Sequence, residues 1–131
     1  MDLRIRSEQF TPSEDQSWLG SAHGTNEADT ITLDGALLGD FEDGFVPSGI
    51  VLGRVTSTGL YGPYDPGAED GRETARGHLF TTKGLNEGQT RVPAALLWHG
   101  QVIVDRLPEN HGLDTDAADA LRQIDYVGEV S

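Results

Sequence analysis

Apolar and polar positions follow a two-residue rhythm through the middle of this chain. Thr30-Ile31-Thr32-Leu33 alternates and stops at Asp34-Gly35, which predicts a strand closed by a tight turn. Gly49-Ile50-Val51-Leu52-Gly53-Arg54-Val55 is a β-branched run between breakers, and Ala75 to Thr82 is a further strand. Ala95-Leu96-Leu97-Trp98 and Gln101-Val102-Ile103-Val104 flank the step His99-Gly100, which predicts a hairpin. Loops rich in Gly, Pro and Asp separate these runs. The expected fold is mainly β: a small barrel or sandwich with long loops.

The rhythm differs at both ends. From Leu113 the apolar positions Ala117, Ala120, Leu121 and Ile124 fall at helical spacing, with Asp114 or Thr115 as the cap. This predicts one short C-terminal helix, with Asp116 and Asp119 near its positive end. Tyr126-Val127-Gly128-Glu129-Val130 reads as a return strand. Before Asp29 no period is sustained, and Thr11-Pro12-Ser13-Glu14-Asp15 breaks any continuous element. The expected organisation is therefore an extended N-terminal arm over residues 1–29 and a β-rich domain over residues 30–131. Phe10, Trp18 and Leu19 are the expected anchors of the arm, since a polar tail rarely carries two aromatics. Leu97, Val102, Ile103, Leu121 and Ile124 are the expected core.

Composition narrows the function classes. The chain has 131 residues, enough for one domain with a real core. Nine basic residues against 22 acidic ones give a net charge of −13. Duplex nucleic acid is held through neutralised phosphates, and no basic stripe is present, so nucleic acid is not an expected partner. Membrane surfaces are disfavoured by the same charge, no apolar run approaches a membrane span, and the first residues do not read as a signal peptide. The acidity favours solubility or a fit to a basic protein surface. There is no cysteine, which removes disulfides and thiolate chemistry.

No motif argues for catalysis or a cofactor. His23, His78, His99 and His111 never take a ligand spacing, and each reads as a turn or surface histidine. Asp65, Glu69 and Asp70 form an acidic loop without the alternating ligands of a calcium loop. Ser48 is not in a nucleophile elbow, and Lys83 lacks the phosphate-loop spacing. No metal, no cofactor and no enzymatic activity are expected.

Five phrases then occur in order. They are Pro47-Ser48-Gly49-Ile50-Val51-Leu52-Gly53-Arg54-Val55; Tyr61-Gly62-Pro63-Tyr64-Asp65; Asp70-Gly71 with Ala75-Arg76-Gly77-His78-Leu79; Leu96 to Val102; and Leu113 to Ala117, leading to Tyr126-Val127. Together, over about residues 30–130, they resemble the head decoration, or capsid cement, proteins of tailed bacteriophages, of the lambda decoration-protein type. The long polar N-terminus and strong acidity depart from that pattern. The resemblance implies a non-enzymatic virion protein on the outer surface of the expanded capsid. It would sit as a homotrimer at three-fold and quasi-three-fold positions, bind the major capsid protein and stabilise the head against genome pressure. The competing expectation is a non-enzymatic binding module for a host surface or carbohydrate, with Trp98, Tyr61 and Tyr64 as an aromatic platform, against which the continuous apolar neighbours of Trp98 favour a place in the core of the hairpin.

Overall fold

The computed structural model describes residues 16–20, 28–39, 41, 44–85, 89–108 and 110–130. The expected mainly β architecture is present, as a closed five-stranded barrel with appended elements. The strands are β1 (Asp29–Asp34), β2 (Phe45–Val46), β3 (Val51–Arg54), β4 (Tyr61–Pro63), β5 (Ala75–Leu79), β6 (Lys83–Gly84), β7 (Arg91–Leu97), β8 (Gly100–Ile103) and β9 (Ile124–Val127). Among the described residues, one α-helix, α1 (Thr115–Ala120), lies between β8 and β9.

The barrel order is β1-β4-β3-β5-β7, and β7 closes it against β1. That closing seam is the longest ladder, running antiparallel from Asp29↔Leu96 to Asp34↔Arg91. Its register follows from alternation. Ile31 and Leu33 point inward from β1, as do Val92, Ala94 and Leu96 from β7, and all five are buried. They meet Leu38, Val46, Ile50, Leu52 and Leu79 in the barrel core. Closure gives each of these strands a neighbour on both sides, although β1 meets β4 through the single pair Leu33↔Tyr61. Asp34 does more than mark a turn: its carboxylate caps a short 3-10 helix over Gly35–Leu37 by accepting from the Ala36 N–H.

A second core lies beside the barrel. It joins Val51, Tyr64, Ala75 and Leu97 to Trp18, Val102, Leu113, Ala117, Leu121 and Ile124. Here the structure corrects three expectations. The hairpin across His99-Gly100 does not form. β7 pairs with β1 and β5, whereas β8 pairs in parallel with β9, from Gly100↔Ile124 to Ile103↔Val127. Gly100 adopts φ of 125°, so the chain does turn there, but it turns out of the barrel into a separate sheet. The helix is shorter than its apolar spacing predicts. It ends at Ala120, Ala120 is exposed, Leu121 caps the helix, and Ile124 belongs to β9. Of the five expected core residues, Leu97, Val102, Leu121 and Ile124 are buried, while Ile103 is only half-buried.

The third correction concerns the arm. Residues 16–20 pack on the body as a short antiparallel edge to β8. Leu19 bridges Val102, the Ile103 N–H donates to the Trp18 carbonyl at 2.6 Å, and the Gly20 N–H donates to Gln101 O at 2.9 Å. Trp18 is fully buried. A domain boundary at residue 29 therefore leaves out part of the second core.

Candidate functional site

The anchors expected in the sequence have different fates. Phe10 lies outside the described residues. Leu19 is half-buried against the second core. Trp18, expected to reach a partner, is instead an anchor onto the chain's own fold. An indole buried among apolar groups contributes most of its transfer free energy only if its N–H finds an acceptor. Trp18 Nε1 donates to Ser48 Oγ at 3.1 Å.

Around that contact lies a buried polar cluster that the sequence reading missed. His78 has no exposed surface, although the sequence suggested a turn or surface residue. Strand alternation explains the error. Ala75, Gly77, His78 and Leu79 in β5 are all buried because this strand faces the barrel on one side and the second core on the other. The imidazole stacks on Trp18 with ring centroids 5.6 Å apart and planes inclined by 28°. His78 Nδ1 lies 2.8 Å from Gly49 O, and Nε2 lies 2.8 Å from the Tyr126 hydroxyl.

These contacts fix the proton. A carbonyl only accepts, so Nδ1 carries the hydrogen and donates to Gly49. Nε2 then accepts from the Tyr126 O–H. The ring is neutral, and burial pulls its pKa from 6.5 down to about 4; the Gly49 carbonyl opposes that shift and His111 adds to it. Burial likewise pushes the Tyr126 hydroxyl well above the usual phenol range.

Gly49 is required at this point. Its φ is 100°, and a Cβ there would meet Pro108 Cδ at 2.7 Å and Trp18 Nε1 at 3.2 Å. The phrase Pro47-Ser48-Gly49-Ile50 thus has a physical role. Ser48 supplies the acceptor for Trp18, Gly49 supplies the carbonyl for His78, and Ile50 enters the barrel core.

A second polar junction ties α1 to the barrel. The Asp114 carboxylate caps the helix by accepting from Ala117 N–H at 2.8 Å. It also accepts from the Tyr64 hydroxyl at 3.0 Å. Burial, then this carboxylate, push the Tyr64 hydroxyl up to about 12.

The expected aromatic platform is not assembled. Tyr64 belongs to the second core, Tyr61 packs against the barrel core, and Trp98 is half-exposed elsewhere. Trp98 lines a shallow groove of about 250 Å³ with Thr74, Arg76, Leu121, Arg122 and Gln123. Neither arginine pairs with a carboxylate among the described residues. The groove is a cationic, aromatic spot on an acidic chain.

The acidic loop is organised by its own backbone. Asp65 accepts from Gly67 N–H, and Asp70 binds the Arg72 side chain at 3.1 Å. At Gly71, φ of 119° and close approach to Arg54 O leave no room for a Cβ. Among the described residues, no three His, Asp or Glu side chains are grouped to hold a metal ion, and no helix is long and apolar enough to cross a membrane.

No protein-family model matches the chain, and no curated protein matches its sequence.

Proposed function

We propose that this chain is a non-enzymatic structural protein of a phage head. In this reading it binds the major capsid protein on the outer surface of the expanded shell, as a homotrimer at three-fold and quasi-three-fold positions. The observation that carries the reading is the order of the five sequence phrases resembling head decoration proteins, and what those phrases do here. The first makes the Ser48–Gly49 corner and β3. The second makes β4 and Tyr64, and the third makes β5. The last supplies the Asp114 cap that receives Tyr64. Residues shared with a family pattern are thus the ones that build the body.

The physical logic is mass action. A ligand that binds only the expanded lattice stabilises that lattice. Three contacts on one trimer act together through effective concentration. A net charge of −13 suits a basic capsid surface and speeds encounter with it. Co-sedimentation with purified heads is the test. The chain should pellet with expanded heads and stay in solution with unexpanded ones. Equal binding to both, or to neither, would remove the proposal.

A second reading is favoured by one observation, the groove beside Trp98. A half-exposed indole next to Arg76 and Arg122 suits a carboxylated saccharide on a host surface, through stacking and charge-assisted hydrogen bonds. Quenching of Trp98 fluorescence by acidic oligosaccharides, lost in Arg76→Ala and Arg122→Ala, would favour this module over the capsid role.

A further inference from the structure

The cluster of Trp18, Ser48, His78 and Tyr126 does more than fill space. It joins four distant parts of the chain: the entering segment 16–20, the corner before β3, β5 and β9. Among the described residues, segment 16–20 pairs with a strand through the single bridge Leu19↔Val102. Its contacts include the Trp18 indole, the two backbone bonds to β8, and Gln16 Nε2 donating to Phe80 O at 2.6 Å. Of the other groups around His78, Tyr126 lies in the β8–β9 ladder, and Gly49, in the corner before β3, is tied to β5 by its N–H donating to Leu79 O.

We propose that His78 is an acid-sensitive latch: its protonation releases the segment 16–20, exposing Trp18 and the edge of β8, while the barrel stays folded. The inference is independent of any capsid role.

The geometry carries it. In the closed state both imidazole nitrogens are matched, Nδ1 as donor and Nε2 as acceptor. A second proton on the ring would face the Tyr126 hydroxyl, which now donates in that direction. The phenol would have to turn its hydrogen away, and a charge would stand in a closed apolar site. Among the described residues, the titratable groups facing the ring are Tyr126 from β9 and His111 from the loop before α1, and no carboxylate contacts it. His111 gives no compensation, because its own charge would repel. Its Nδ1 already accepts from Leu113 N–H, and burial lowers its pKa as well. Trp18 stacks directly on the imidazole, so moving the indole is the shortest way to bring water to the ring. The depressed basicity of His78 places the release on the acid side of its ordinary pKa of 6.5, toward 4. The apolar cluster inside the barrel is aliphatic apart from Phe41 and Tyr61 at its margin.

Trp98→Phe leaves Trp18 as the sole indole and makes the full chain its own reporter. Its emission should shift to the red as pH falls from 6.5 toward 4. Over that interval far-ultraviolet dichroism and amide protection at Leu33 and Leu52 should persist. Adding His78→Gln keeps a donor and an acceptor in place but removes the titration, so the shift should vanish. A red shift that persists at the same midpoint in that variant overturns the latch. So does a Trp18 signal that changes only together with barrel protection. Should His78→Gln fail to fold, the nuclear magnetic resonance titration of the His78 ring in the Trp98→Phe chain decides. Its midpoint must coincide with the Trp18 shift, and separate midpoints overturn the proposal.

Discussion

The barrel and the second core are built from the same chain by different means. The barrel interior is almost wholly aliphatic, from Ile31 and Leu33 through Leu52 to Leu96. Strand alternation and closure suffice to specify it, because each inward residue meets others from neighbouring strands in fixed register. The second core is assembled from short pieces far apart in sequence. Residues 16–20, β8, β9 and α1 are each too small to hold themselves, and buried polar groups join them to the barrel. A closed sheet can rely on apolar burial. A junction between loose pieces needs directional bonds to select one arrangement. Such bonds carry a condition, since a buried donor or acceptor that loses its partner costs more than the bond contributed.

Substituting one large side chain in each core is the strongest way to break this comparison. Trp18→Ala should cost about 3–5 kcal/mol, because it empties a fully buried site. It also leaves Ser48 without the indole N–H. Leu52→Ala in the barrel should cost about 2–5 kcal/mol by cavity formation alone. Urea unfolding measures both. A loss below about 0.5 kcal/mol for Trp18→Ala, the range of surface sites, would show that segment 16–20 is not part of the folded unit.

Acid should separate the cores next. His78 is neutral when folded, with its pKa lowered to about 4, and ordinary at 6.5 when unfolded. Between those values the unfolded chain binds more protons, so stability falls as pH falls. The contribution is fully present above 6.5 and gone near 4. At about 1.4 kcal/mol per pKa unit, the loss is roughly 3 kcal/mol. The difference in pH dependence between the parent chain and His78→Gln isolates it from the carboxylates. Parallel curves would mean that the ring titrates normally.

The smallest effect sharpens the comparison at the other polar junction. Asp114→Ala removes a helix cap and the acceptor of Tyr64, and should cost about 1 kcal/mol. Asp114→Asn keeps an acceptor for both and should retain most of that. If the two variants are equally damaged, the carboxylate charge rather than the hydrogen bonding matters.

The sequence by itself determined that the domain is mainly β and where several of its strands lie, while leaving barrel and sandwich open. Period-two alternation in Thr30–Leu33 and the β-branched run before Arg54 name strands whose inward residues are the observed core. The capping potential of Asp114 was also legible, because a cap is a local contact between a side chain and the backbone three residues on. What lay beyond local reading was pairing. His99-Gly100 carries every local sign of a hairpin, yet β8 joins β9, more than twenty residues later. A parallel pair leaves no turn signature, and its register comes from burying Val102 and Ile124 in a core contributed by other segments. Trp18 looked like an exposed anchor because its neighbours are polar, and its burial depends on Ser48 and His78, thirty and sixty residues away. His78 looked like a surface histidine because one strand seen alone has only one buried face. Only the tertiary structure sets a second core against the outer face of β5, and with it the neutral, doubly bonded imidazole.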